Sequence, residues 1–331
     1  MPKMGRNAKA AAVEVFAPAR LHLGFLDPAG SVGRRFGGLG LAIDGFGTRL
    51  TMVHADAPTA SGPGAARALE YLARVAAALG LPPAVRVAIR ETSPEHAGLG
   101  SGTQLGLAVA AALARLNGAN VATADLAAAL GRGARSGIGV GIFDRGGFLV
   151  DGGHSARGGP APIVARLEFP APWRFLLVLD AARQGLHGSA ESAAFARLPL
   201  FPAALSGLLC QLVLLQLLPA LAEQDFDATS TALGTIQAKL GDHFSPAQRG
   251  RYSSPVVAAA MGWLADQGIV GIGQSSWGPT GFALIDSAER AAAISVALDR
   301  RFRPALAGRV VSGLNHGATV ESVPLSAESE P

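Results

Sequence analysis

The sequence predicts an α+β protein built in two halves, and three observations carry that prediction. Apolar strand-like runs and helix-period segments are mixed along the 331 residues, an order unlike that of an all-α or all-β chain. A glycine- and proline-dense stretch, Arg157-Gly158-Gly159-Pro160-Ala161-Pro162, marks a linker near the middle. Glycine-rich turns interrupt apolar segments on both sides of it, at Pro94–Gln104 and at Gly273–Gly281. With 49% hydrophobic residues the chain can bury a sizeable core.

Taken in order, Val13–Phe16 reads as a first strand that leads into Ala17–Asp27. Gly37–Ile43 is a glycine-led apolar run, and Thr48–His54 alternates as a strand does. Ala65–Leu79 has helical spacing and stops at Gly80 before Pro82-Pro83. Val85–Ile89 is a strand, Thr103–Leu116 a helix closed by Asn117-Gly118, and Thr123 caps a helix reaching Leu130. In the second half, Phe175–Leu179 is a strand and Ser189–Leu264 is mostly helical. Ile269–Ile285 reads as two strands around a turn, Ser287–Leu298 as a helix and Val310-Val311 as a closing strand. Residues 1–12 read as a disordered leader, 13–165 and 166–320 as the two domains, and 321–331 as a flexible tail.

Composition narrows the function classes. The net charge of +4 is modest, and the arginines are scattered without interleaved aromatics, so no nucleic-acid motif is present. Cys210 is the single cysteine, which excludes internal disulfides and thiolate metal sites and fits a reducing cytoplasm; its leucine-rich surroundings predict a buried thiol. Leu205–Ala222 is apolar enough to mimic a membrane span. Gln211, Gln216 and an early stop at Pro219 favour a buried core helix or a subunit contact instead, consistent with a homodimer and no membrane.

Five segments can carry chemistry. Pro94–Gln104 offers backbone N–H groups and a helix dipole to an anion, through Gly98, Leu99, Gly100, Ser101, Gly102, Thr103 and Gln104. An ordinary strand-to-helix turn capped by Ser101 or Thr103 would have the same local sequence. In Arg20-Leu21-His22-Leu23-Gly24-Phe25-Leu26-Asp27, strand alternation puts Arg20 and His22 on one surface and Leu21, Leu23 and Phe25 on the other. Glycines from Gly133 to Gly147, around Arg135 and Ser136, bring the backbone close to a ligand or to a packed helix. Ser275, Ser276, Gly278 and Thr280 form a small-residue turn that can bind phosphate oxygens or simply close a hairpin. Asp180–Gly188, with Arg183, follows a strand's C-terminal end. No spacing supports zinc or a serine triad.

Pro94-x-x-x-Gly98-Leu99-Gly100-Ser101 and the Ser275–Thr280 turn resemble the motifs of the GHMP kinase superfamily. The resemblance implies a GHMP-kinase-like two-domain fold: a ribosomal protein S5 domain 2-like N-terminal domain and a ferredoxin-like C-terminal domain. Two departures stand out. The kinases' paired serines are here Ser101-Gly102-Thr103, and the aspartate of their Ser-Gly-x-Asp segment is here Gly139. Without that carboxylate, phosphoryl transfer to an alcohol loses a positioning group.

The longer motifs Arg20–Asp27, Pro94–Gln104, Gly131–Gly139, Phe143–Gly153 and Gln274–Thr280 resemble the β-ribofuranosylaminobenzene 5′-phosphate synthases, over roughly residues 13 to 320. That resemblance implies a pentosyltransferase joining phosphoribosyl diphosphate to 4-aminobenzoate, with release of CO2 and pyrophosphate, in tetrahydromethanopterin biosynthesis. It implies a role for Mg2+ and for the phosphate turn in holding the leaving diphosphate, helped by Ser275, Ser276 and Thr280. Arg20, His22 or Arg183 would meet the 5′-phosphate, and Asp27, Asp144 or Asp151 a metal or the cationic transition state. An ATP-dependent small-molecule kinase and a noncatalytic nucleotide-binding protein are the alternatives on the same fold.

Overall fold

Two long antiparallel strands, β1 (Ala12–Asp27) and β2 (Phe36–His54), are the spine of the protein. The computed structural model describes residues 11–156, 160–180, 182–183, 185, 193–194 and 197–324. The leader as far as residue 10, the linker glycines, the start of the helical stretch at 189–192 and the tail from 325 lie outside the described residues. The two segments read as separate runs at Gly37–Ile43 and Thr48–His54 are one continuous strand. The glycines between them fold into an irregularity opposite Pro18 and Ala19 rather than ending it.

The first sheet has the order β11-β1-β2-β4-β3, with β4 at Val85–Glu91, β3 at Thr59–Ser61 and β11 at Thr319–Val323. β5 (Phe148–Asp151) pairs with the front half of β2, and β6 (Ile163–Leu167) pairs with β5. Helices α1 (Ala65–Leu79), α2 (Ser101–Leu116), α3 (Thr123–Ala129) and α4 (Ile138–Arg145) accompany this sheet. α2 is apolar on nearly every side because it is buried on nearly every side, with Leu105, Leu107, Val109 and Leu113 in the core shared with α1 and the sheet.

The second sheet has the order β10-β7-β9-β8, formed by Leu306–Val311, Arg174–Asp180, Gly281–Ile285 and Ile272–Gln274. One face packs on α7 (Pro255–Asp266) and α8 (Ala288–Phe302). The other face joins a core common to both halves. There Leu21, Leu23 and Leu41 of the spine meet Phe175, Phe282 and Leu284 of the second sheet and Leu233, Ile236 and Leu240 of α6 (Phe226–Gln248). β11 also crosses back to pair with β1, so residues 321–323 of the expected tail are strand, and the two halves are not separable units.

Helix α5 (Ala203–Glu223) passes through Pro219 instead of stopping there. A π-helical turn over Val213–Leu217 widens the backbone where the proline has no N–H to donate. The helix is long and apolar enough to cross a membrane, yet Leu209, Val213, Leu217 and Leu221 face the shared core. Leu208, Leu214 and Leu215 face outward. Cys210 is also exposed, contrary to expectation, because Leu209 takes the inward position and the next residue is rotated about 100° away. Replacing Leu217 with alanine should therefore cost about 2–5 kcal/mol in chemical denaturation. The same change at Leu215, 68% exposed, should cost less than about 0.5 kcal/mol.

Candidate functional site

The chain leaves β4 and reaches α2 through a turn in which Gly98 and Gly100 both have φ near 78°. A Cβ on Gly98 would lie 2.5 Å from the Ser275 carbonyl oxygen, and one on Gly100 would lie 2.6 Å from Arg20 Cγ. Only glycine combines that backbone with that proximity. Gly100 occupies the cap position, so neither Ser101 nor Thr103 is the capping residue. Its carbonyl accepts from the N–H groups of Thr103 and Gln104. The helix's first N–H groups, at Ser101 and Gly102, have no intrahelical acceptor and sit at the positive end of the dipole.

Three guanidiniums surround this helix end. Arg20 Nη1 donates to the Gly98 carbonyl at 2.7 Å. A Cβ on Gly102 would lie 3.4 Å from Arg132 Nη2 and 3.8 Å from Arg67 Nη1. Arg132 donates to the Tyr71 hydroxyl, and Arg67 pairs with Glu95 at 2.7 Å. Together they line a cleft of about 410 Å3. A second cleft of about 400 Å3 adjoins it, with Arg20, Thr103, Arg132 and Ser276 common to both. Its further walls are His22, Phe25, Arg135, Ser136 and Gly139. Among the described residues, no aspartate or glutamate lines either cleft.

A bulge in β1 shapes the second cleft. The register shifts between His22 and Gly24, and Gly24 has φ of 123°. The extra residue resets the alternation, so Phe25 joins His22 on the cleft side, ring centroids 4.6 Å apart, instead of following Leu21 and Leu23 into the core. His22 is 2% exposed. Its Nδ1 accepts from the Gly24 N–H at 3.3 Å, which leaves the proton on Nε2. Burial, reinforced by the Arg20 charge, holds its pKa well below the ordinary histidine value, so the ring is neutral.

The structure separates the other expected site residues into three groups. Gly98, Gly100, Ser101, Gly102, Thr103, Arg135, Ser136, Ser276 and Gly278 line the clefts with Arg20 and His22. Leu99, Gln104, Ser275 and Thr280 are buried supports. Gln104 Nε2 donates to the Gly139 carbonyl at 2.8 Å, and the Thr280 carbonyl accepts from the Ser275 N–H at the hairpin's neck. Ser275 Oγ accepts from the His22 N–H at 3.0 Å and donates to the Gly98 carbonyl at 2.7 Å, so it cannot also serve a phosphate. Asp27, Asp144 and Arg183 do not line the clefts. Asp27 accepts from Gly30 and Ser31 in its own turn; burial pushes its pKa up, but the hydrogen bonding of Ser31, Ser206 and Gly30 together brings it below the ordinary value. Asp144 is exposed and bound to Thr123 and Arg145. Arg183 donates to the Ser253 carbonyl. Asp151 is fully buried and takes hydrogen bonds from Ser136, Gly137 and Gly153, which supports the glycine segment; burial still raises its pKa.

Sequence reasoning missed Arg67, Tyr71 and Arg132. Arg132 lay inside a recognised motif and could have been named. Arg67 and Tyr71 come from α1, and only the packing of α1 on α2 brings them to the site.

A two-sheet α+β fold with a glycine turn feeding a buried helix defines a GHMP kinase-type protein. The GHMP kinases N terminal domain matches residues 64–152, and the GHMP kinases C terminal domain matches 217–304. Homoserine kinase from Cytophaga hutchinsonii has the same fold, with a TM-score of 0.67 and 20% identity over 96% of this chain and 100% of that one. A beta-ribofuranosylphenol 5′-phosphate synthase from Archaeoglobus fulgidus is 35% identical over 291 residues, 82% of this chain and 87% of the relative. One from Methanothermobacter thermautotrophicus is 30% identical, over 91% and 96% respectively. The chain belongs to the beta-ribofuranosylphenol 5′-phosphate synthase family.

Two outcomes follow from the geometry. Ser275→Ala removes a buried donor and acceptor and should cost about 1–3 kcal/mol, read by denaturant unfolding, while weakening anion binding at the turn. For His22, the unfolded chain takes up a proton near the ordinary value of 6.5, whereas the folded chain does so only well below it. Stability should therefore fall as pH drops below 6.5, and His22→Gln should flatten that slope in pH-dependent thermal melts.

Proposed function

We propose that the enzyme joins phosphoribosyl diphosphate to 4-aminobenzoate by decarboxylating C-glycoside formation, in the service of tetrahydromethanopterin-type C1 metabolism. The observation that carries this reading is a cleft pair rich in guanidinium groups and, among the described residues, without a lining carboxylate. Such a site suits a leaving diphosphate and does not suit deprotonation of an alcohol. The anion cradle is the end of α2 with Arg20, Arg67 and Arg132, where fixed donors stabilise charge as it develops on the leaving group.

The C1–O bond of the ribose breaks with its electron pair going to pyrophosphate. The ring carbon bearing the carboxylate supplies the pair for the new C–C bond, assisted by the para donor. The bond to the carboxylate then breaks, its electrons restore aromaticity, and CO2 departs. No general base is needed. Mg2+ bound to the diphosphate would add charge stabilisation, and the hydroxyls of Ser101, Thr103 and Ser276 are cleft oxygens that could hold it, with Glu95 at the rim through its pair with Arg67. The relatives' name specifies a phenol product, which favours 4-hydroxybenzoate as a second acceptor. The outward leucines of α5 support a homodimer, which light scattering can test.

Release of labelled CO2 from carboxyl-labelled 4-aminobenzoate, with Mg2+ and phosphoribosyl diphosphate, tests the reading. No release from either benzoate, with ATP consumed in the presence of an alcohol, would sink it. Arg67→Ala and Arg132→Ala should each raise KM for phosphoribosyl diphosphate about 10- to 100-fold, as loss of a charged hydrogen bond does. Gly139→Asp should lower synthase activity without creating kinase activity, since its Cβ would press within 3.0 Å of Thr103 Cγ2.

A further inference from the structure

Nineteen aromatic side chains (14 Phe, 3 Trp, 2 Tyr) serve 331 residues, yet five of them join two histidines in two rows beside the second cleft. One row runs along β1 and β2: His22 to Phe25 at 4.6 Å, and Phe25 to Phe36 at 5.7 Å. The other runs from the loop before α5 along the end of α6 to the hairpin: Phe201 to His243 at 4.5 Å, His243 to Phe244 at 5.4 Å, and Phe244 to Trp277 at 5.1 Å. Members of both rows line the same cavities. Phe36 lines a groove of about 380 Å3 together with Phe201, His243 and Phe244, and His22 and Phe25 share a small cavity with Phe244 and Trp277.

We infer that this slot is the acceptor subsite, binding an aromatic carboxylate by its ring, with Arg35 and Arg135 supplying the guanidiniums. The inference rests on the reaction proposed above and adds where the arene lies. Arg135 lines both the groove and the second cleft. It therefore stands where the carboxylate-bearing carbon must meet C1 of the ribose. Aromatic walls suit a flat ring through offset and edge-to-face contacts, and a guanidinium fork suits a carboxylate. Burial lowers the pKa of His243, so its ring contributes a wall rather than a charge at neutral pH.

Phe36 carries an independent sign. Its φ is 71°, in the left-handed region that a bulky residue seldom adopts. Strain of this kind persists where the surrounding structure needs that side chain in that place. Glycine at position 36 would relieve the backbone and delete the wall, so its effects on stability and on arene binding should part company.

The test measures Phe36→Gly and Phe244→Leu in the full chain. Kinetics are run with each substrate varied in turn, beside equilibrium dialysis of labelled 4-aminobenzoate. Both variants should raise KM and Kd for the arene about tenfold, the scale of one lost aromatic contact. KM for phosphoribosyl diphosphate should stay within about twofold, and the Tm of Phe36→Gly should change little. A rise in KM for phosphoribosyl diphosphate alone would put the 5′-phosphate in the groove and overturn the inference. Unchanged arene binding in both variants, or no arene binding by the parent chain, would overturn it too. Dialysis separates the two readings: arene binding that is lost in the variants of a chain showing no turnover would sink the reaction and leave the slot standing.

Discussion

The hydroxyl of Ser275 holds three distant parts of the chain at one point. It takes the His22 N–H of β1 and gives its own proton to the Gly98 carbonyl of the glycine turn, in a place with no exposure to solvent. Arg20 reaches the same carbonyl from the other side, and the Ser276 N–H donates to the His22 carbonyl one residue along. Gln237 repeats the arrangement deeper in the seam. Its Nε2 donates to the Leu23 carbonyl at 2.7 Å and its Oε1 accepts from the Gln274 N–H at 2.9 Å. Buried polar links of this kind are costly when half satisfied, so each fixes its neighbours. The turn, the arginine and the hairpin move as one unit or not at all.

That rigidity has an electrostatic use. A net charge of +4 is small for a chain of this length, yet three guanidiniums meet within one cleft. Confinement beside a buried apolar core lowers the local dielectric, so each charge acts more strongly there than on the open surface. The neutral His22 fits the same economy. Burial first, and then the Arg20 charge beside it, disfavour a cation there, so the imidazole gives up its proton charge and keeps a donor at Nε2.

Much of the fold was legible because local rules decided it. The span of α1, ended by Gly80, follows from helical spacing and its glycine stop. The bulge after His22 did not follow, since alternation rules assume an unbroken ladder, and one inserted residue moved Phe25 to the opposite face. Helix α4 was not among the elements read from spacing, since its glycines are poor helix formers, yet they allow close packing: a Cβ on Gly141 would press on Ile163 at 2.7 Å. The acidic candidates failed for a common reason. Residue type marked Asp27 and Asp144 as chemically able, but Asp27 closes its own turn through Gly30 and Ser31, and Asp144 is held by Arg145 beside it and by Thr123 at the start of α3. The hydroxyl of the hairpin's Ser275 is engaged by His22 and Gly98, a direction that tertiary contacts set and that spacing does not reveal.

The pairing of β11 with β1 gives the first sheet an outer strand drawn from the far end of the chain. During translation the amino-terminal strand must wait for about three hundred residues before that neighbour exists. At roughly 5–20 residues per second, the delay is on the order of 15–60 seconds. For that interval one flank of β1 is an open ladder of donors and acceptors, the kind of edge to which other chains add. Nascent chains of this protein are thus exposed to strand-addition errors throughout that interval, and the synthesis of Thr319–Val323 ends it.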